Sequence, residues 1–517
     1  MGRQNSGTNY TSDIRVENRS SVTYTQDLFS YKLSKNLRSR TVSGLFWSFI
    51  DSFAVQGIGF VVGIILARIL DPSDFGLIGM MTIFISISQW FVSSGFGQAL
   101  IRKQDCTQDD YSTVFLFNII FGGILYIVLF ASASFIAHFF NEPQLTPLIK
   151  VLGFSILITA LTIVQRTQLT KKIAFKLQTR ISVVASVTAG VVAIIMAYYN
   201  WGVWSLIVKT LIENGINSVL LWLYSKWRPS LIFSKRAFNE LFGFGYKLML
   251  RGLIYTIFNN IYYAIIGKYF SAAQLGYYTR AEQFSNLPST KINKIVNRVS
   301  YPALSELQED TVKLKHVYRK ILISLVYITS ICMIILAALA EPVVIILVGE
   351  KWRPSIEYLQ LLSIIGLLYP LCDYNLTILK IVNQPSIILK LEIFKRLFSI
   401  PIIVIGVILG IKELLVGIII LTWVEFFVNS YFSGKYIAYS IPELLQDILP
   451  NISLAVVVGT GIWIYVQLSV VGNIYYLLLG LFIAMILIIV LSEIFRVKGY
   501  LYIKEVLIKE LINKKKR

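Results

Sequence analysis

The sequence predicts an all-α polytopic membrane protein with about 14 transmembrane helices, and three observations support this prediction. Hydrophobic residues make up 56% of the 517 residues and aromatic residues 14%, a composition typical of multi-pass membrane proteins. Apolar runs long enough to cross about 30 Å of hydrocarbon recur along the chain. Lys and Arg are concentrated in alternate connections between these runs, which is the asymmetry that the positive-inside rule describes and which places both termini in the cytoplasm.

The apolar runs divide into two sets of six crossings, followed by two more. The predicted crossings are 43–69, 77–101, 113–139, 148–169, 181–199, 201–224, 241–269, 276–304, 318–348, 356–381, 387–409, 414–436, 448–468 and 474–495. We therefore expect a first six-helix bundle over 41–225, a second over 240–440 and two additional helices over 441–495. The polar, Ser- and Arg-rich segment 1–40 is expected to be a disordered cytoplasmic tail, and 496–517 a basic cytoplasmic tail.

Two internal matches support a repeat. Gly76 and the residues before it match Gly276, 200 positions later, and the pattern E-x-x-x-N-S begins at both Glu213 and Glu425. Because each set contains an even number of crossings, the two bundles point the same way through the membrane. Their pseudo-two-fold axis should lie along the membrane normal, with a cleft between the bundles near that axis.

The eighth predicted crossing is polar, and it carries Arg280, Lys291, Lys294 and Arg298. At about 100° per residue, these four cations fall within roughly 60° of one another around the helix axis. The opposite face carries Glu282, Asn286, Thr290, Asn293 and Asn297. Because a charge near the bilayer centre costs roughly 2.5 to 3.5 kcal/mol, we expect the basic face to line a hydrated, central cationic cavity.

The seventh crossing adds further candidates for this cavity. Lys247 and Arg251 lie one turn apart, and Asn259 and Asn260 follow two turns later. Several cations in a groove of low dielectric constant can replace the hydration of a phosphate group with charge-assisted hydrogen bonds, which predicts an anionic cargo. The alternative is that these cations pair with nearby carboxylates or extend to the membrane interface.

Two acidic residues in the second bundle, Asp373 and Glu425, have no evident basic partner close in sequence. Carboxylates of this kind inside a membrane are candidates for binding a coupling ion, H⁺ or Na⁺. For Glu425 the alternative is a hydrogen bond to Asn429, one turn along.

Two other carboxylates are candidates for gating or ion coupling. Asp51 corresponds to Arg251 under the offset of 200, so the two could pair across the cleft or form a purely architectural contact. Glu213 lies four residues after Lys209, a spacing that favours a local ion pair.

Several function classes are disfavoured by what the sequence lacks. No G-x-x-x-x-G-K-[ST], HExxH or CxxC motif is present, and three Cys and two His are too few and scattered for a metal site. We expect no cofactor and no resident metal. The formal net charge of +20 follows from the positive-inside distribution, and we expect no nucleic-acid partner, since such a partner would need the charge on one soluble face.

Four segments resemble the polysaccharide transporter family, particularly its WzxC-like and teichuronic acid exporters. The segments are GLFWSF at 44–49, LARILDPSDFGL at 66–77, LGYYTR at 275–280 and NRVSYPALS at 297–305. Arg280 and Arg298 lie within the matched motifs. The superfamily also contains MATE drug exporters and the lipid II flippase.

The resemblance implies a function. It implies a flippase, not an enzyme, that moves an oligosaccharide linked to undecaprenyl pyrophosphate across the bacterial inner membrane by alternating access. The expected partners are this lipid-linked oligosaccharide, membrane lipids, a coupling ion, and the polymerase and glycosyltransferases of a pathway that makes lipopolysaccharide with O-antigen, capsule or exopolysaccharide.

Three alternatives stay open at this point. A MATE-like drug/cation antiporter is disfavoured because a cationic cavity repels cationic drugs. A membrane glycosyltransferase would normally need a sizeable catalytic loop, which the chain lacks. A scaffold without transport activity is distinguished by neutralising Lys291 and Lys294, which should abolish transport but not scaffolding.

Overall fold

The computed structural model describes residues 54–93, 95–468 and 474–505, apart from the side chains at positions 244, 247, 248, 251 and 299. Helices joined by short connections fill these ranges, and they contain no strand. The helices are α1 (Ala54–Ile69), α2 (Pro72–Ser93), α3 (Gly95–Arg102), α4 (Gln108–Phe140), α5 (Leu145–Leu152), α6 (Phe154–Ala160), α7 (Ile163–Lys171), α8 (Phe175–Tyr198), α9 (Val203–Tyr224), α10 (Lys235–Tyr269), α11 (Ala272–Ser305), α12 (Thr311–Ala338), α13 (Ala340–Val348), α14 (Ser355–Ile381), α15 (Pro385–Leu409), α16 (Ile411–Ile437), α17 (Ile441–Leu468), α18 (Ile474–Ile494) and α19 (498–505).

The prediction of a polytopic, all-helical membrane protein is confirmed. Within the described ranges, eight helices are long and apolar enough to cross a membrane, and a ninth is reached if the pair 145–160 and 163–171, bent by 42°, counts as one span. Helices α1, α10, α11, α15 and α16 occupy the other five predicted crossings. The total of fourteen crossings stays a prediction.

We divide the helices into two lobes that follow the two predicted bundles, and this division stays a prediction. Helices α1 to α9 make the first lobe, in which α8 packs on α9 and α4 packs on α5 and α6. Helices α10 to α16 make the second lobe, in which α14 packs against α11, α12 and α16. Helix α2 packs against both α10 and α11 and so joins the lobes. Helices α17 and α18 attach to the outside of the second lobe through α12 and α13.

Small residues allow close packing within the first lobe. Ala185, Ala189, Ala193 and Ala197 repeat every fourth residue along α8, and all four are fully buried. Such a stripe lets helix backbones approach each other closely. In a membrane this close packing drives helix association, because lipid is as apolar as the protein interior and burial alone gives no gain.

The two tails predicted from the sequence are described only in part. Residues 1–53, including the tail predicted over 1–40, lie outside the described residues. Of the second tail, residues 498–505 form α19, and Lys504 pairs with Glu493 at the end of α18, 2.7 Å away.

Candidate functional site

Helix α11 carries the predicted basic face and begins four residues earlier than the sequence suggested. A capping box starts it: the Ser271 side chain accepts a hydrogen bond from the Gln274 backbone, and the Gln274 side chain accepts one from the Ser271 backbone. This arrangement satisfies amide groups that would otherwise lack partners at the helix start. The helix continues through two internal prolines, Pro288 and Pro302, and so extends over the full length that the cationic face requires.

Three of the four predicted cations remain available to a ligand. Lys294 and Arg298 are exposed and Lys291 is half-buried. In the described part of the chain, none of the three forms an ion pair. The described structure therefore does not support the alternative in which carboxylates neutralise these charges.

The fourth cation, Arg280, differs from the prediction of one continuous hydrated face. Only 3% of Arg280 is exposed, and its guanidinium lies over the rings of Phe75, 4.4 Å from the centroid, and Trp352, 5.3 Å away. Arg280 Nη1 donates to Gln283 Oε1 over 2.6 Å, and Arg280 Nε has no partner among the described residues. The reason is tertiary: aromatic rings from α2 and from the loop before α14 cover this end of the face.

A cavity of about 270 Å³ lies beside Arg280, between α1, α2 and α9 of the first lobe and α10 and α11 of the second. Lys209 also lines it. Lys209 pairs with Glu213 at 3.4 Å, as the spacing predicted, and Ser186 donates to the other Glu213 oxygen over 2.7 Å. Glu213 is thus fully engaged in local contacts within the first lobe.

A second cavity, of about 500 Å³, lies inside the second lobe. It is lined by α10, α11, α14, α15 and α16, and it borders the uncharged and acidic face of α11. Asn259 and Asn260 line this cavity and also a smaller cavity beside α2, between the lobes. Their predicted part in a cationic site shared with α11 stays a prediction.

The two candidate carboxylates for ion coupling both line the second cavity, with different partners. Asp373 Oδ2 accepts hydrogen bonds from the amides of Asn293, over 3.0 Å, and Asn297, over 2.7 Å. Glu425 forms an ion pair with Lys395, with 2.7 Å between Oε2 and Nζ. The sequence offered Glu425 no basic partner nearby, and its partner comes from α15, thirty residues away in sequence. In the described residues, no group of three or more His, Cys, Asp or Glu could hold a metal ion.

Three predicted residues cannot be placed in this site. Asp51 lies outside the described residues, and the side chains of Lys247 and Arg251 do as well. The proposed Asp51–Arg251 pair across the cleft therefore stays a prediction.

At the end of the molecule near the α1–α2 turn, three residues tie the lobes together, and we call them the clasp: Arg68, Lys351 and Trp352. Arg68 Nε donates to the carbonyl oxygen of Leu347 at the end of α13, over 2.8 Å. Trp352 is fully buried, and its indole Nε1 donates to the Ala67 carbonyl over 2.8 Å. Lys351 donates to the Ile69 carbonyl over 3.2 Å. Cations at the C-terminal end of α13 are also favoured by its dipole.

Two repeat-related glycines meet directly below the clasp. A Cβ atom added at Gly76 would overlap the carbonyl of Ala272, and one added at Gly276 would overlap the carbonyl of Pro72. The first turns of α2 and α11 therefore cross each other reciprocally, as a pseudo-two-fold axis requires. The sequence match between these two glycines marks the position where the lobes come closest at this end.

The lobes also contact each other at the opposite end of the molecule. Gly95 and Gly245 approach each other, and the Trp90 indole donates to the Met249 carbonyl over 2.9 Å. Lys103 pairs with Glu240 at 2.9 Å, and this hydrogen bond raises the pKa of Lys103 above its ordinary value. These contacts join α2 and the segment after it to α10, and they leave the exposed cations of α11 uncovered.

Sequence reasoning missed three residues of this site. Trp352 covers Arg280, and Lys395 and Arg396 enter the second cavity. Lys395 and Arg396 lie within the predicted crossing 387–409 and were not among the predicted site residues. An isolated tryptophan before a predicted crossing carried no signal, since its contacts come from residues distant in sequence, Ala67, Phe75 and Arg280.

The fold and the site together define a class: a two-lobed, multi-pass membrane protein with cavities lined by charged and polar side chains. The fold is shared with the lipid II flippase MurJ in an inward closed conformation, with a TM-score of 0.69 and 13% identity over 87% of this chain and 98% of that one. An inward-facing multidrug resistance MATE transporter also matches, with a TM-score of 0.57 and 16% identity over 74% of this chain and 94% of that one.

The chain belongs to the polysaccharide biosynthesis protein family, whose model matches residues 65–357. It is similar to the lipopolysaccharide biosynthesis protein WzxC of Escherichia coli, with 27% identity over 72% of this chain and 76% of WzxC. It is also similar to the teichuronic acid biosynthesis protein TuaB of Bacillus subtilis, with 24% identity over 66% and 72% of the two chains. The succinoglycan biosynthesis transport protein ExoT of Rhizobium meliloti is 22% identical over 83% and 92%.

Proposed function

We propose that this protein is a flippase that moves a lipid-linked oligosaccharide, carried on undecaprenyl pyrophosphate, across the bacterial inner membrane for the synthesis of a surface polysaccharide. Family membership and the MurJ-like fold support this function. The observation that carries it is the basic face of α11, on which Lys291, Lys294 and Arg298 have no ion pair in the described chain. Unpaired cations inside a transporter favour an anionic cargo.

The orientation follows from the charge distribution. With both termini in the cytoplasm, the clasp lies at the outer side of the membrane and the exposed cations of α11 lie toward the cytoplasm. The described conformation is then closed on the outside, and the pyrophosphate reaches the basic face from the inner leaflet. The polyprenyl tail can stay in lipid, since only the polar head needs a hydrated path.

Arg280 acts later in the same cycle. It lies further along the basic face, toward the outer side, and it is covered by aromatic rings in this conformation. When the clasp opens, Phe75 moves away with the first lobe, and the free Nε of Arg280 becomes available to the phosphate. Lys247 and Arg251, on α10, are proposed to contribute to the same anionic path.

We infer that a coupling ion, H⁺ or Na⁺, binds at Asp373. Its carboxylate faces a cavity and is held by two amides instead of a cation, an arrangement that leaves an oxygen free for a proton or a small cation. Glu425 takes a lesser part because Lys395 already balances its charge. The expected partners from the pathway are its polymerase and glycosyltransferases.

Reconstitution tests the function directly. Purified protein in liposomes is given a fluorescent undecaprenyl pyrophosphate-linked oligosaccharide, and leaflet exchange is followed with a membrane-impermeant quencher. Charge reversal by Lys294→Glu or Arg298→Glu should lower the initial rate at least tenfold, because each removes a charge-assisted contact worth about 1.5 to 3 kcal/mol.

The matched control is Lys435→Glu, at an exposed lysine near the end of α16, which should leave the rate within twofold. A wild-type rate no higher than that of protein-free liposomes would refute the proposed function. Equal rates for wild type and both α11 variants would refute the role of the basic face. Imposed pH or Na⁺ gradients, compared with Asp373→Asn, identify the coupling ion.

A further inference from the structure

The cavity inside the second lobe has the size of a ligand site. Its volume of about 500 Å³ lies within the range of roughly 300 to 1,000 Å³ that small-molecule sites occupy. Five helices surround it, from α10 to α16, so that its walls are rigid. The proposed phosphate contacts do not use it, since they lie on the other face of α11.

The lining combines aromatic rings with neutral polar groups. The aromatic side chains are Tyr255, Phe258, Tyr262, Tyr263, Tyr278 and Tyr369. Between them lie the amides of Asn260 and Asn286 and the hydroxyl of Thr290. Aromatic rings offer flat apolar surfaces with polar edges, and amides both donate and accept hydrogen bonds. A pyranose ring needs this combination, because it has apolar C–H faces and a rim of hydroxyl groups.

The charges of the lining disfavour phosphate. Four carboxylates face the cavity, against two cations, Lys395 and Arg396. Both cations are already paired: Lys395 with Glu425 at 2.7 Å and Arg396 with Glu392 at 2.5 Å. Phosphate would meet excess negative charge here, whereas a neutral sugar can donate its hydroxyl protons to the carboxylates. The same argument disfavours acidic sugars.

The cavity shares lining residues with a space between the lobes. Tyr255, Asn259 and Asn260 line it and also line a cavity of about 320 Å³ that includes Ser86 and Trp90 of α2. The middle of α10 therefore borders both spaces. The contacts of Tyr263 with Glu282 and Tyr278, which join α10 to α11, lie near the turn between the two helices, on the outer side of this connection.

We propose that the second-lobe cavity binds neutral sugar units of the cargo while the pyrophosphate stays on the basic face of α11. The inference rests on the proposed function and deepens it, because it assigns the two chemical parts of the cargo to two separate sites. The cavity then acts as the selectivity site: it recognises the length and neutrality of the glycan, and the basic face recognises the carrier.

Two defined cargoes test this division. One is undecaprenyl pyrophosphate carrying a single N-acetylglucosamine, and the other is the same lipid carrying a neutral tetrasaccharide of hexoses. Initial flipping rates of both are measured for wild type, Tyr369→Leu and Asn286→Leu in liposomes. The ratio of the tetrasaccharide rate to the monosaccharide rate should fall at least fivefold in the two cavity variants. Lys294→Glu should lower both rates by similar factors.

Tyr431→Leu is the matched control, since Tyr431 is an exposed tyrosine of α16 that does not line the cavity. Its rate ratio should equal that of wild type. An unchanged ratio in both cavity variants overturns the inference even where the flipping itself is real. If wild type moves neither cargo above protein-free liposomes, the proposed function fails first, so the two failures are distinguishable.

A binding measurement guards against variants that fold poorly. The free hexose tetrasaccharide, at millimolar concentration, should raise the thermal unfolding temperature of detergent-solubilised wild type and not of Asn286→Leu. Stabilisation by NaCl over choline chloride, without any stabilisation by the sugar, would mean that the cavity holds only a cation and would overturn the proposal.

Discussion

A methyl group at Gly76 or Gly276 is expected to force the outer side of the protein open. In the described conformation the first turns of α2 and α11 cross at these two glycines, and a Cβ at either position would lie well inside the 3.0 Å that real Cβ atoms keep from neighbouring atoms. The obstructing atoms are backbone carbonyls, which cannot rotate away as a flexible side chain would. The helices must therefore separate by at least about 1 Å.

The size of the effect follows from the clasp directly above. A separation of about 1 Å takes the Trp352–Ala67 and Arg68–Leu347 hydrogen bonds from 2.8 Å to beyond useful range. A neutral hydrogen bond contributes about 1 kcal/mol and a charged one about 1.5 to 3 kcal/mol. Together with the charged Lys351 contact, the loss is roughly 4 to 7 kcal/mol, enough to shift a two-state equilibrium by about 10³ to 10⁵.

Cysteine labelling measures this shift. Thr279→Cys, beside Arg280 in the cavity between the lobes, is introduced after the native cysteines are replaced, and intact cells are treated with a membrane-impermeant maleimide. Labelling should rise at least tenfold in Gly76→Ala and Gly276→Ala, with loss of transport. Gly123→Ala is the control, because its added methyl meets nothing within 4 Å. Unchanged labelling together with normal transport in both variants would show that the crossing does not hold the outer side closed.

Three further predictions concern buried charge and the clasp. Arg280→Met should abolish transport and leave the melting temperature equal to or higher than that of wild type. The reason is that burying a guanidinium without a carboxylate partner lowers the stability of the folded protein. A clear fall in melting temperature would contradict this prediction. Lys395→Met should lower the free energy of unfolding by about 3 to 5 kcal/mol in denaturant titrations, since it leaves Glu425 charged and only 12% exposed. Adding Glu425→Gln should recover most of this loss. If it recovers none, the loss comes from the packing of Lys395 and not from the unpaired charge. Trp352→Phe should destabilise the outward-closed conformation by about 1 kcal/mol, because it loses the hydrogen bond to Ala67. The measurement is maleimide labelling of Thr279→Cys, which should be roughly fivefold faster. Labelling at the wild-type rate would show that Trp352 does not help to hold the outer side closed.

The helical class and the special nature of the eighth crossing were predictable from local pattern. Apolar runs of membrane length and the spacing of Lys291, Lys294 and Arg298 are properties of a single helix, and α11 keeps them in the structure. The repeat match between Gly76 and Gly276 was also informative, because Gly76 packs on Ala272 and Gly276 packs on Pro72, a reciprocal crossing of α2 and α11.

Pairing across helices was not predictable in the same way. Glu425 seemed to lack a partner only because Lys395 is thirty residues distant in sequence. Helical periodicity placed Arg280 on a hydrated face, but it could not show that the rings of Phe75 and Trp352 cover this residue. Likewise, Asn260 shares a helix with the predicted cations but borders both the second-lobe cavity and a cavity beside α2. Helical periodicity gives the direction of a side chain relative to its own axis and says nothing of which neighbour lies there.

The sequence by itself determined that the chain lies in a membrane, that it repeats, and that one helix carries cations too costly to place in lipid. Only the tertiary structure decided that the cationic face is divided, with Arg280 sealed under aromatic rings and Lys294 and Arg298 open. The physical reason is that hydropathy and charge decide for each helix separately whether it favours lipid or water. Burial and ion pairing instead depend on how the two lobes are docked.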